Sequence, residues 1–310
     1  MKTILITGAS GFLGDKIFDS LSSLNEYKLV LGVRDPSKIS GIDKFKNAEI
    51  RYFNLVDDAT YFQALVGVDA VVHLAAMDYA DCEKNPELAW KVNVNLLEAF
   101  FLKCKESGVK QFVYFSTFHV YGPSLEGVIT EETVTNPVNN YSKTHLEAEK
   151  IVLSNLGIEG IVVRLSNAIG KPLHADSSAW KLVVNDLCKQ AVTSRKIVLQ
   201  STGKQLRDFI PASVVGFAID TILEKNSTIN ASAIYNLGSG KSLSILDIVK
   251  IIQKECQDLY QFTPTFETRE NTTEKISSFH FSVKKLSQLG FVCSTTIKKE
   301  IGEILLSINN

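Results

Sequence analysis

The first half of the chain alternates short, continuous apolar runs with segments whose apolar residues recur every three or four positions. The runs Ile4–Thr7, Leu29–Val33, Glu49–Asn54, Ala70–Leu74, Gln111–Ser116 and Ile161–Leu165 read as strands. Helices are predicted over Gly14–Leu24, Thr60–Val66, Glu87–Ser107 and Tyr141–Leu156. Within Glu87–Ser107 the apolar positions Leu88, Val92, Leu96, Ala99 and Phe100 follow a helical spacing. Strands this apolar are buried on both faces, and their alternation with helices implies a parallel sheet covered on both sides. Ligands of such a sheet bind beyond the C-terminal ends of its strands. There the chain carries Gly8–Gly14, Arg34, His73–Ala76, Ser116-Thr117 and Ser166-Asn167. After Gly170 the alternation breaks up. Lys171–Gln190 reads as a loop entering an amphipathic helix, Ile197–Leu199 and Ala233–Leu237 as strands, and Ser213–Leu223, Ile245–Cys256 and Ile297–Leu306 as helices.

The first connection gives the pattern a chemistry. Ile4-Leu5-Ile6 runs into Thr7-Gly8-Ala9-Ser10-Gly11-Phe12-Leu13-Gly14, a GxxGxxG spacing rather than GxGxxG. Glycines also serve ordinary turns. Here a strand precedes them and a helix and second strand follow, which is how a fold presents a helix N-terminus to the pyrophosphate of a dinucleotide. The end of the second strand selects the dinucleotide. An acidic residue there would bond the ribose hydroxyls and repel a 2′-phosphate; this chain has Arg34-Asp35-Pro36-Ser37-Lys38. Arg34 can fork onto a phosphate, with Lys38 or Ser37 assisting, so NADP(H) is favoured and NAD(H) is the alternative. Asp35, beside Arg34, counts the other way.

Bulk properties remove other classes. The 310 residues suffice for one large domain or two small ones, and the 45% hydrophobic and 22% charged content is that of a soluble globular protein. A formal net charge of −1 gives no global reason to bind nucleic acid or an acidic membrane. The five cysteines are scattered without a CxxC pair, against a disulfide framework or a metal site. With no basic leader and no long apolar span, the chain reads as cytoplasmic.

Taken in order, TGASGFLG, NLVD (Asn54–Asp57), VVHLAA (Val71–Ala76), NVNLLEA (Asn93–Ala99), FVYFSTFHVYG (Phe112–Gly122), NNYSKTHLEAE (Asn139–Glu149), VVRLSNAIG (Val162–Gly170), LRDFI (Leu206–Ile210) and YNLGSG (Tyr235–Gly240) closely resemble the extended short-chain dehydrogenase/reductase family, in its nucleotide-sugar epimerase/dehydratase/reductase branch. The resemblance implies an α/β fold: a Rossmann-type doubly wound parallel sheet with a smaller C-terminal substrate-binding lobe. Residues 1–168 and 207–238 would bind NAD(P), and residues 169–206 and 239–310 would form the lobe. Gly8, Ser10, Gly11, Phe12, Leu13 and Gly14 would cradle the cofactor. Asp57 would contact its adenine, the backbone of Leu74, Ala75 and Ala76 would line it, and Asn93 would order the active-site end of its helix.

The catalytic pattern of that family is a Ser or Thr, a Tyr, and a Lys four residues after the Tyr. Thr117 and Tyr141 match the first two. In place of the Lys stands His145, while Lys143 occupies another helical face. The family's ammonium lowers the tyrosine pKa from about 10 and bonds the nicotinamide ribose. Histidine, with a reference pKa of about 6.5, can bond the ribose but lowers a tyrosine less. Three readings stay open: His145 replaces the lysine with altered pH dependence, Lys143 or another cation compensates, or the protein binds cofactor and turns over poorly. The family's 4,6-dehydratases carry Asp and Glu directly after the Thr. Phe118 and His119 stand there, which disfavours elimination chemistry.

For the substrate, Arg207 matches the family arginine that clamps the diphosphate of a nucleotide sugar, and Asn167 an asparagine that approaches that diphosphate or the sugar. His119 is a candidate sugar contact. Arg269 is a candidate second phosphate anchor, although it is followed by Glu270-Asn271-Thr272 rather than the usual x-Gly-Asp. Together these imply an NADPH-dependent keto-sugar reductase, with an NAD-dependent epimerase or a catalytically weak cofactor-binding regulator as alternatives. A homodimer through Glu87–Ser107 and Tyr141–Leu156 is expected by resemblance.

Overall fold

The computed structural model describes residues 1–39, 41–154, 157–172, 177–225, 232–269 and 278–308. The strands are β1 (Lys2–Thr7), β2 (Tyr27–Val33), β3 (Ala48–Tyr52), β4 (Ala70–His73), β5 (Gln111–Thr117), β6 (Gly127–Ile129), β7 (Glu159–Leu165), β8 (Asn167–Ile169), β9 (Lys196–Leu199), β10 (Leu206–Pro211), β11 (Ala233–Leu237), β12 (Ser242–Ser244), β13 (Thr265–Thr268) and β14 (Phe279–Phe281). The helices are α1 (Phe12–Leu24), α2 (Tyr61–Leu65), α3 (Tyr79–Lys84), α4 (Pro86–Trp90), α5 (Leu97–Glu106), α6 (Asn140–Val152), α7 (Val183–Ser194), α8 (Val215–Lys225), α9 (Ile245–Tyr260), α10 (Lys284–Gln288) and α11 (Ile297–Ile308).

Seven strands form one parallel sheet in the order β11-β7-β5-β4-β1-β2-β3. The chain moves outward one way through β1, β2 and β3 and the other way through β4, β5, β7 and β11. The reversal between β1 and β4 opens a crevice at their C-terminal ends. The apolar runs sort by strand alternation. Ile4, Ile6, Leu29, Leu31, Val113, Ile161 and Val163 face α1 and α8. Leu5, Val30, Val71, Phe112, Tyr114 and Val162 face Phe100, Phe101, Ala148 and Val152 of α5 and α6. Both faces are covered, as the apolar runs require.

The segment expected as one helix over Glu87–Ser107 is built in three parts: α4, a π-helical stretch at Lys91–Leu96, and α5. The wider turn shifts the facing positions. Asn93, Val94, Leu97 and Phe100 are buried, whereas Leu88 is 42% exposed. The predicted helix Tyr141–Leu156 is α6, and its last two expected residues, 155–156, lie outside the described residues.

Beside the main sheet the described residues build three smaller ones. β8, β10 and β12 form one, β9 and β13 a second, and β6 and β14 a third. A separate apolar cluster from α7, α9 and α11, including Leu187, Ile248, Ile252, Ile301 and Ile304, closes around Ile197 and Phe209. Among the described residues no helix is long and apolar enough to cross a membrane, and no cluster of His, Cys, Asp or Glu could hold a metal ion.

Candidate active site

The turn after β1 makes an open helix end. Gly8 has φ of +68°, and its carbonyl accepts from Gly11 N–H at 2.9 Å. The first helical bond runs from Asp15 N–H to Gly11 C=O, and no side chain caps α1. The N–H groups ahead of it therefore face outward for an anion. A Cβ on Gly14 would lie 2.6 Å from Ala9 Cα and closer still to the Gly8 carbonyl, so only glycine lets the helix close onto this turn. Gly8, Ser10, Gly11 and Phe12 line a cleft of about 1150 Å³, together with Gly32, Arg34, Lys38, Asn54, Leu74, Ala75 and Ala76. Leu13 packs toward the core instead. Asp57 is not among the lining residues, which stop at Val56 in this loop; it accepts from Ala59 N–H and caps a short turn.

At the end of β2, Arg34 is exposed on the cleft wall. Asp35 is turned away onto Ser37, accepting from its N–H at 3.0 Å and its hydroxyl at 2.6 Å. These bonds hold the Asp35 carboxyl below its ordinary range. Ser37 is thereby committed to Asp35, which leaves Arg34 and Lys38 as the cations lining this part of the cleft.

Thr117 ends β5, and its hydroxyl accepts from His119 N–H at 3.2 Å. On α6, one turn apart, Tyr141 and His145 meet edge to face with ring centroids 4.4 Å apart. His119 approaches the same tyrosine at 6.4 Å. Burial pushes the Tyr141 phenol up to about 12, against the opposing bond from Thr117. Burial, with a smaller contribution from His119, pushes His145 down to about 3, so its ring is neutral. His145 Nδ1 lies 2.6 Å from the Tyr114 hydroxyl, a partner that the spacing rules did not single out. Its Nε2 is buried without a partner among the described residues. Lys143 is exposed. Burial, and then the Arg207 charge, push His119 down to about 4, so it is neutral.

Two hydrogen-bond systems brace this group. Asn93 Oδ1 accepts from Met77 N–H at 2.8 Å, and its Nδ2 donates to Thr144 Oγ1 at 3.2 Å, tying the loop after β4 to α6. Glu149, two turns beyond Tyr141, accepts from the Ser116 hydroxyl and pairs with Arg164 of β7 at 2.6 Å. The Arg164 guanidinium also donates to the Tyr121 hydroxyl at 3.0 Å. Neither Arg164 nor Glu149 stood out in the sequence as more than part of a motif.

Arg207 of β10 is not among the residues lining the cleft but lies near enough to His119 for its charge to be felt there; it is half-buried, and its side chain has no hydrogen-bond or salt-bridge partner among the described residues. Burial lowers its pKa. A desolvated, unpaired guanidinium is a ready anion site. Its neighbour Asp208 faces the opposite way, accepting from Ser166, Ser239 and Lys241. Asn167 Nδ2 donates to the Asp208 carbonyl at 2.8 Å. Arg269 is exposed just past β13, in a different sheet from Arg207; its sequence context at 270–272 lies outside the described residues.

These residues fit a dinucleotide: a cradle that only glycine permits, an uncapped helix end, a cationic wall and a buried polar nitrogen left open. A sequence model of the NAD dependent epimerase/dehydratase family matches residues 4–238. The chain belongs to that family. Among curated relatives is a trifunctional UDP-glucose 4,6-dehydratase/UDP-4-keto-6-deoxy-D-glucose 3,5-epimerase/UDP-4-keto-L-rhamnose-reductase of Arabidopsis thaliana. It is 26% identical over 95% of this chain, and the match spans 45% of the relative's length. An uncharacterized UDP-glucose epimerase of Bacillus subtilis is 27% identical over 81% of each chain. Among family folds, the UDP-glucuronic acid 4-epimerase of Bacillus cereus, solved with UDP-glucuronic acid and NAD, superposes with a TM-score of 0.83 at 21% identity, covering 99% of both chains. MoeE5, solved with UDP-glucose and NAD, gives 0.82 at 21% identity, covering 99% of this chain and 98% of its own. At such identities the likeness is one of fold, and it bears out the doubly wound sheet expected from the sequence.

Proposed function

We propose that the protein reduces a keto group on a nucleotide-diphosphate sugar with NADPH. The observation that carries this reading is that the group packed one turn beyond Tyr141 is the buried ring of His145 and not an ammonium. The Tyr141 phenol is pushed up to about 12, its neighbour one turn on is a neutral histidine, and Lys143 is exposed. A tyrosine held protonated is a proton donor and a poor base. Reduction of a carbonyl needs the donor, whereas oxidation of an alcohol, the first half of an epimerisation, needs the phenolate.

The dinucleotide, when bound, supplies the hydride. Tyr141 holds the proton destined for the carbonyl oxygen, and Thr117 shares that oxygen and orients it. His145 offers Nε2 to the ribose. Arg207 anchors the substrate diphosphate, with Asn167 and His119 alongside and Arg269 as a second anchor. Arg34, with Lys38, prefers the 2′-phosphate of NADPH. In this reading residues 1–168 and 207–238 form the NAD(P)-binding domain, whose edge also contributes substrate contacts, and residues 169–206 and 239–310 form the substrate-binding lobe. Two copies pair through the exposed apolar edge of residues 87–107 and α6, which sedimentation would reveal as a dimer.

The second reading, an NAD-dependent epimerase, is favoured by the NAD bound in the solved structures of similar fold. Calorimetric titration of cofactor-stripped protein with NADPH and NADH, followed by turnover of nucleotide keto-sugars and of the corresponding alcohols, separates the readings. NADPH preference with keto-sugar reduction supports the first, and NAD retention with interconversion of alcohol epimers supports the second. Cofactor binding without turnover of any sugar would overturn both in favour of a regulatory protein.

A further inference from the structure

We propose that Tyr114 is a positioning residue whose hydroxyl holds His145 as the neutral tautomer with its proton on Nε2, so that the site offers the dinucleotide a hydrogen-bond donor instead of a charge. This rests on the dinucleotide-binding reading above and deepens it.

The argument is an accounting of protons. The Tyr114 side chain is buried, at 2% exposure, and its hydroxyl has one hydrogen-bond partner among the described residues, His145 Nδ1 at 2.6 Å. A phenol carries one proton to donate, and a buried donor needs an acceptor. The acceptor here is Nδ1, which therefore carries no proton. A neutral imidazole with a bare Nδ1 has its proton on Nε2. An imidazolium would place a second proton on Nδ1, facing the phenol proton across the same 2.6 Å. The groups around the ring do not favour that form: Tyr114 from β5, Tyr141 one turn earlier on α6, the neutral His73 of β4 and the more distant, neutral His119. Burial also keeps Tyr114 well above the ordinary tyrosine range, so it stays a donor.

The consequence lies at the other ring nitrogen. Nε2 is buried and has no partner among the described residues, an exception in a site whose other buried polar groups are largely paired. Given the tautomer, Nε2–H is a donor awaiting an acceptor. It belongs to the residue one turn beyond Tyr141 on the same helical face. A ribose hydroxyl of the nicotinamide half is an acceptor of the right chemistry, being neutral, compact and adjacent to the reacting carbon. Tyr114 would then act through His145 without touching cofactor or substrate.

The test uses the full chain with its five histidines labelled with nitrogen-15 in the ring, His145 being assigned by its loss in His145→Gln. Wild-type protein at neutral pH is expected to show His145 with Nδ1 bare and Nε2 protonated, and addition of NADPH or NADH to move the Nε2–H signal. Tyr114→Phe keeps the ring and removes the donor. It is expected to release the tautomer and weaken dinucleotide binding roughly tenfold, the scale of one hydrogen bond. In a His145→Gln background the same change should have little effect, since a glutamine amide donates without being set by Tyr114. The proposal is overturned if wild-type His145 carries its proton on Nδ1 or on both nitrogens. It is equally overturned if bound dinucleotide leaves Nε2–H unmoved, or if Tyr114→Phe changes neither tautomer nor affinity. Should that variant fail to fold, the wild-type spectra decide. Failure of the wild type to bind either dinucleotide overturns the functional reading itself, and the role of Nε2 with it; binding without a response at Nε2 overturns this inference alone.

Discussion

Tyr141 and His145 stand edge to face one turn apart on α6, ring centroids 4.4 Å apart, and neither is charged at neutral pH. With the phenol pushed up to about 12, alcohol oxidation should keep accelerating with pH, close to tenfold per unit, across the whole range in which the protein stays folded. Reduction should be flat over that range. His145→Lys introduces an ammonium beside the phenol, lowering its pKa. The oxidation profile of that variant should reach its plateau at lower pH. Stopped-flow pH–rate profiles in both directions check this, and identical profiles in wild type and variant would sink the idea that His145 sets the charge state.

In the proposed reading, Arg34 on the cleft wall is the residue on which cofactor choice turns. Arg34→Ala should weaken NADPH by roughly ten- to hundredfold, the worth of a charge-assisted hydrogen bond, and leave NADH within about twofold. Calorimetric titration of both cofactors measures this directly. An equal loss for the two would mean that Arg34 contributes to shape rather than to phosphate recognition.

Because the Arg207 side chain has no hydrogen-bond or ion-pair partner among the described residues, removing it breaks no such bond. Arg207→Ala should leave folding stability unchanged within about 0.5 kcal/mol. The same variant should lose about 1.5–3 kcal/mol of affinity for a nucleoside diphosphate. Urea unfolding and ligand titration of the one variant separate these effects, and unchanged diphosphate affinity would remove Arg207 from the substrate site.

Acid should unfold the protein partly through its buried histidines. His73 and His145 are both pushed down to about 3 in the folded state, while an unfolded histidine titrates at about 6.5. A lowered folded value means that the unfolded state binds more protons below neutrality. The stabilising contribution is complete above about pH 6.5 and is lost as pH falls toward 3, at about 1.4 kcal/mol per unit for each ring. His145→Gln cannot take up that proton. Any stability advantage of wild type over this variant should therefore shrink between pH 7 and pH 4 in thermal melts, and a gap that widens would contradict a neutral buried His145.

The sheet was legible because its strands are apolar on both faces and bounded by glycine, proline or polar turns; β11 was read to its termini, and the other main strands within a few residues. The π-helical stretch at Lys91–Leu96 was not legible, since one extra residue in a turn leaves local helical periodicity almost intact while rotating everything after it. Short pairings such as β8 with β10 and β6 with β14 also escaped notice, being fixed by partners remote in sequence. At the site, the glycine turn and the Thr–Tyr–His set were visible as spacing. The state of the histidine was not, because it depends on Tyr114, which reads as one more apolar strand residue until α6 is laid across it. Alternation along β5 puts Tyr114 on the same face as Phe112, the face that meets α6, and that was the available clue.

The contact of Ser116 and Arg164 with Glu149 has a bearing on how the site responds to heat. Ser116 precedes Thr117 on β5, Glu149 lies on the helix that bears Tyr141, and Arg164 belongs to β7. Thr117 and Tyr141 thus hang from elements clamped together by a buried charge pair. Ligands meet a site whose internal spacing is already set, and its ordering entropy belongs to folding rather than to binding. Catalytic geometry and global structure should consequently melt as a single cooperative unit, with no temperature window in which the fold persists while Thr117 and Tyr141 drift apart.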